Sequence, residues 1–62
     1  MMVIAIRDTE VFKGSNKGIL PEGTEAKVLM EGKVINLLEV ETLKGKIEVK
    51  TRNKEDFESI TI

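Results

Sequence analysis

The side chains able to do chemistry in this chain are carboxylates, ammonium and guanidinium groups and hydroxyls. Its 62 residues carry eleven Asp or Glu and ten Lys or Arg, with no His and no Cys. Thiolate and imidazole zinc sites, disulfides, haem ligation and histidine-based proton transfer are therefore closed to a single chain, whereas oxygen-only cation sites stay open. One carboxylate pair stands out, Glu41 with Glu48, which a two-residue turn at Lys44-Gly45 would set opposite each other. Two such groups can hold a cation or serve as acid and base. Acid–base work needs a cleft, and a small sheet filled by its own side chains has little interior left. Diagonal screening by Lys46 and Lys50 is the plainer reading of the pair. No nucleophile stands beside a base, so no catalytic residue, metal site or cofactor is expected.

The remaining candidates cluster before residue 24. Lys13 and Lys17, with Arg7, form a basic group suited to a phosphate or an acidic partner, or simply to a solvated loop. Phe12, Ile19 and Leu20 supply an apolar patch for a protein partner, or core cover in which Phe12 caps one end of the domain. The formal net charge of −1 argues against a generalised attraction to phosphate backbones, which depends on clustered Lys and Arg. With one apolar run, Met1 to Ile6, too short to cross a membrane, the chain reads as a soluble, cytoplasmic protein.

The elements that would position these residues are strands. Thirteen residues are Val or Ile and five are Thr, against two Ala, a composition that favours pleated surfaces. Met1 to Ile6 reads as a first strand buried on both faces. Thr24, Ala26, Val28 and Met30 alternate with polar residues, as do Leu38, Val40 and Thr42, and then Ile47, Val49 and Thr51. A two-residue turn at Lys44-Gly45 would set Thr42 against Ile47, Val40 against Val49, Leu38 against Thr51 and Glu39 against Lys50. A three-residue loop over Glu31 to Lys33 would pair Met30 with Val34, leaving Asn36 inward unless a bulge there turns Ile35 or Leu37 in instead. Thr9 to Gly23 reads as a long excursion pinned by Val11, Phe12, Ile19 and Leu20. Leu20-Pro21-Glu22-Gly23 reads as a type II turn leading into the next strand. Asn53 is placed to cap a short helical turn over Lys54 to Glu58, and Ser59 to Ile62 closes the chain as a last strand beside the first. Residues 1–62 thus make one all-β domain of five strands.

This order of strand, long loop, three-strand meander, one-turn helix and short final strand resembles the SH3-like barrel. The resemblance is carried by the Gly14 to Gly23 loop, the Leu20-Pro21-Glu22-Gly23-Thr24 entry, the Lys44-Gly45 distal turn and Glu55-Asp56-Phe57 before the last strand. Small bacterial and phage SH3-like proteins, including those with a KOW-type strand and loop, share the profile. The resemblance implies a single five-stranded, partly open barrel with one short helical turn before the last strand. Eukaryotic SH3 domains bind proline-rich peptides on an aromatic groove, and this chain has no Trp and no Tyr. The function expected is therefore a non-catalytic accessory or regulatory module binding another protein through residues 9–23, with Arg7, Phe12, Lys13, Lys17, Ile19 and Leu20 as contacts. The alternative is KOW-like nucleic-acid binding through Arg7, Lys13, Lys17 and Lys27. Exposed edges at Met1 to Ile6 or the final strand would allow a homodimer.

Overall fold

Strands occupy more of the chain than its local alternation marks in the computed structural model, described here for residues 1–60. They are β1 (Met2–Ala5), β2 (Thr9–Lys13), β3 (Asn16–Leu20), β4 (Glu25–Glu31), β5 (Asn36–Thr42), β6 (Gly45–Thr51) and β7 (Phe57–Ser59), with a 3-10 turn at Lys54–Asp56 before β7. All lie in one antiparallel sheet in the order β3-β2-β6-β5-β4-β1-β7. The all-β expectation holds, but the five-stranded barrel does not: among the described residues the sheet has seven strands and ends at β3 and β7 without closing. The two additional strands are the arms of the supposed excursion. Thr9 and Val11 face the core while Glu10 faces water, an alternation too short to read through the Gly, Ser and Asn that follow it.

Edges also move. β1 lies inside the sheet, between β4 and β7, so it offers no edge for a second copy. Thr61 and Ile62, expected in the last strand, lie outside the described residues; β7 covers Phe57–Ser59, and the Ile60 N–H donates to the Met2 carbonyl at 2.9 Å.

The core gathers Val3, Val11, Leu20, Ala26, Leu38, Val40 and Val49, with Val28, Ile47 and Phe57 packed partly against it. Leu38, 1% exposed, is the largest apolar side chain fully enclosed, and burying one such side chain contributes about 1.5–3 kcal/mol.

Three turns set the registers. Thr42 pairs with Gly45, so the β5–β6 turn is Leu43-Lys44, one residue earlier than expected, and Leu38 opposes Val49 while Val40 opposes Ile47. Leu43 and Lys44 keep negative φ, which excludes the type I′ turn, and Gly45 just beyond takes φ +115°. The Thr42 hydroxyl accepts from the Lys44 N–H at 3.2 Å and donates to the Gly45 carbonyl at 2.7 Å. The resulting shift of two residues preserves parity, so the inward faces are as expected while every partner differs.

In β4–β5 the loop is longer, with Glu31 opposite Asn36 and Met30 opposite Leu37, and a bulge between Val28 and Met30 moves Val28 against Leu38. The bulge falls in β4 rather than at Asn36. Asn36 instead closes the loop, its Oδ1 accepting from the Gly32 N–H at 3.2 Å. A Cβ at Gly32 would collide with the Ile35 carbonyl, so only glycine fits.

The third turn spans Pro21 to Thr24, one residue later than expected. The Thr24 N–H donates to the Pro21 carbonyl at 3.1 Å, and Gly23 supplies the positive φ, +91°, that a type II turn needs at its third position. The helical turn is shorter than expected, and Asn53 caps it through its backbone carbonyl rather than its side chain.

Candidate functional site

Strand register assembles a row of side chains that is scattered in the chain. Lys17 on β3 opposes Phe12 on β2, Phe12 opposes Lys50 on β6, Lys50 opposes Leu37 on β5, and Leu37 opposes Met30 on β4. These positions alternate with the buried Val11, Val49 and Leu38, so the row lies on the outer face of the sheet. Phe12 is half-buried there instead of capping the core. Its ring carries the Arg52 guanidinium 5.0 Å from its centroid and the Lys17 ammonium at 5.9 Å, within cation–π range. Met30, 67% exposed, ends the row, and Val34 and Ile35 extend the apolar surface around the β4–β5 loop.

Further along the same face the charge reverses. Glu39 stands directly opposite Glu48, and Glu41 opposite Lys46; the like pair is thus not the expected Glu41 with Glu48, because of the register shift. Lys46 Nζ lies 3.8 Å from Glu39 Oε1, a diagonal bridge that offsets the repulsion. A shallow groove of about 450 Å³ runs between Met2, Glu25, Lys27, Glu39, Glu41 and Lys46. No group of three acidic side chains able to hold a metal ion occurs among the described residues.

Of the residues expected to bind a partner, the fold joins Phe12 and Lys17 and separates the others. Ile19 is exposed on the Phe12 side of β3, opposite Glu10, whereas Lys13 sits at the hairpin tip with the opposite parity. Leu20, 9% exposed, belongs to the core. Arg7 is engaged elsewhere: it pairs with the Asp56 carboxylate and donates to the Glu55 carbonyl at 3.3 Å, tying the end of β1 to the 3-10 turn. Lys27 lies beside Met2 and Glu39 at the acidic end, so Arg7, Lys13, Lys17 and Lys27 form no single basic surface.

The Arg7 guanidinium, and after it the Thr9 hydroxyl, hold the Asp56 carboxyl below its ordinary value. Thr9 Oγ1 is buried and has no hydrogen-bond partner among the described residues, so the direct Arg7 contact is the cause that the geometry supports.

Lys50, Arg52, Leu37 and Met30 complete the row; Met30, expected inward with Ala26 and Val28, faces outward because the β4 bulge reverses its parity. The outward parity of Lys50 and Arg52 was readable; placing Phe12 beside them requires knowing that β2 is a strand paired to β6.

Comparison of the chain with models of protein families, with curated proteins and with solved structures finds no match in any of the three.

Proposed function

We propose that the protein is a non-catalytic interaction module of SH3-like layout, an accessory or regulatory unit that binds another protein on the outer face around Phe12. The layout is supported by the element order: β1, the β2–β3 hairpin in place of the long first loop, the β4–β5–β6 meander, the 3-10 turn, and β7 returning beside β1. The observation that carries the reading is the row itself. Phe12, Leu37 and Met30 present apolar surface with Lys50 set between Phe12 and Leu37 and with Lys17 and Arg52 at the ring, and no carboxylate forms a salt bridge with any of these cations among the described residues. Aromatic and Arg side chains with an apolar centre are the usual anchors of protein interfaces. Unpaired cations around them select an acidic partner.

Affinity capture with the wild-type chain and with the Phe12→Ala, Lys17→Glu variant tests the proposal. A partner held by the wild type, lost by the variant and then shown to bind as a purified protein supports it; an unchanged set of captured proteins overturns it. Binding to RNA and DNA measured against salt separates the nucleic-acid alternative, since phosphate contacts give a steep inverse slope.

A further inference from the structure

The β2–β3 hairpin is open on its core side. Val11 opposes Gly18 there, and because glycine adds no side chain the inner layer stops short. An open cleft of about 220 Å³ lies among Gly18, Val11, Leu20, Ile47 and Val49. A Cβ placed on Gly18 would meet nothing within 4 Å. The same strand ends the sheet, so one side of its backbone has N–H and C=O groups without strand partners among the described residues. The common protections of an edge are sparse: β3 contains no Pro, its pairing with β2 has no bulge, and Lys17 is its one charged residue. The other end of the sheet, β7, is three residues long.

A strand laid beside β3 would continue the pleat, and its side chains would alternate between the two faces. The residue opposite Gly18 would point to the core side, where the cleft is open. Its neighbours would point to the outer side, toward Lys17 and Ile19, with Phe12 next to Lys17 and Arg52 over the ring. Glu10, opposite Ile19, is the one carboxylate of the hairpin on that face, so the charge around Lys17 is positive. We infer that the partner in the reading above is an extended segment that adds to the β3 edge, with one branched apolar side chain in the Gly18 cleft and acidic side chains toward Lys17. The inference rests on that reading and specifies the partner's form. A second copy of the chain fits poorly: antiparallel pairing of β3 with itself about Gly18 sets glycine against glycine and fills neither cleft.

Selection of short random peptides displayed on phage against the intact protein tests this. Enriched sequences should alternate apolar with acidic residues, and a synthetic copy of the best should shift the amide resonances of β3 and the methyl resonances of Ile47 and Val49. Gly18→Val should fill the cleft and weaken that peptide by about tenfold or more while Tm stays level or rises. Methylating alternate peptide amides should abolish binding in one register and leave it intact in the other. Enriched peptides that bind Gly18→Val as well as wild type, or shift only Phe12, Leu37 and Met30, overturn the edge inference and leave protein binding on the outer face standing. A selection that yields no binder also overturns it, and the capture experiment then decides the broader reading by itself.

Discussion

The β5–β6 and β2–β3 hairpins are both two short antiparallel strands, and the molecule uses them in opposite ways. Between β5 and β6 the inward pairs are Leu38 with Val49 and Val40 with Ile47, apolar from both sides. Between β2 and β3 they are Thr9 with Leu20, Val11 with Gly18 and Lys13 with Asn16, so apolar packing fades toward the turn. The first hairpin lies inside the sheet; the second ends it and joins β6 through Phe12 opposite Lys50. One hairpin therefore concentrates stability, and the other presents an aromatic ring, cations and a free edge at the weakly held end of the fold. Binding elements are commonly drawn from such low-stability regions.

Substitutions on the two sides of this division should differ in cost. Leu38→Ala should lose about 2–5 kcal/mol, a large part of the stability available to a small domain, read from urea denaturation followed by far-UV circular dichroism. A loss below about 1 kcal/mol would mean that β5–β6 is not the stabilising hairpin. Phe12→Ala should lose about 1–2 kcal/mol in the same measurement, chiefly the two cation–π contacts at an outer face, while removing partner binding. A Phe12→Ala chain that unfolds would place that ring in the core after all.

The division also marks where the sequence was legible. The inward parity of Leu38, Val40, Ile47, Val49 and Thr51 followed from alternation alone, because a two-residue error in the turn leaves faces unchanged. Their partners did not follow, because the position of the turn hangs on whether Gly45 lies in it or just after it, and glycine suits both. The place of the β4 bulge is hidden for a related reason: by type Asn36 is a polar misfit on the inner face, and only the folded loop supplies its hydrogen bond from the Gly32 N–H. The candidate site was less legible than the core. Residue type alone points to Phe12 and Lys17, but the row they begin is completed by Lys50, Leu37 and Met30 from three other strands. Long-range register of that kind leaves no mark on local pattern. The apolar character that makes Leu20 a candidate contact is claimed by the core.

At the join between β1 and the 3-10 turn, acid should act through Asp56. Its carboxyl is held below the ordinary value by Arg7 and then Thr9, so the unfolded chain takes up the proton at higher pH than the folded one. The stability contributed is complete above the unfolded aspartate value, about 4, and is lost as pH falls through the folded value. Tm measured across the acid range should fall for the wild type, and Arg7→Met should flatten part of that fall. An identical profile in the variant would show that the Arg7 pair is not what lowers Asp56. Neither result should alter affinity at the Phe12 face, to which Arg7 does not belong.

The smallest effect falls on the outer face of the stabilising hairpin and tests its register directly. Glu39 stands opposite Glu48, with Lys46 bridging diagonally to Glu39. Glu48→Gln should therefore raise stability by about 0.2–1 kcal/mol at low salt, and the gain should shrink as added salt screens exposed charges. The single substitution would also relieve a Glu41–Glu48 pair, so it does not decide between registers; a double-mutant cycle does. Stronger coupling of Glu48→Gln with Glu39→Gln than with Glu41→Gln, its diagonal neighbour, is what the observed pairing requires. The reverse pattern would move the turn by one residue and return Val40 to a place opposite Val49. Both hairpins would then keep their faces, but Lys50 would oppose Glu39 rather than Leu37, and the row from Lys17 to Met30 would be broken at its centre.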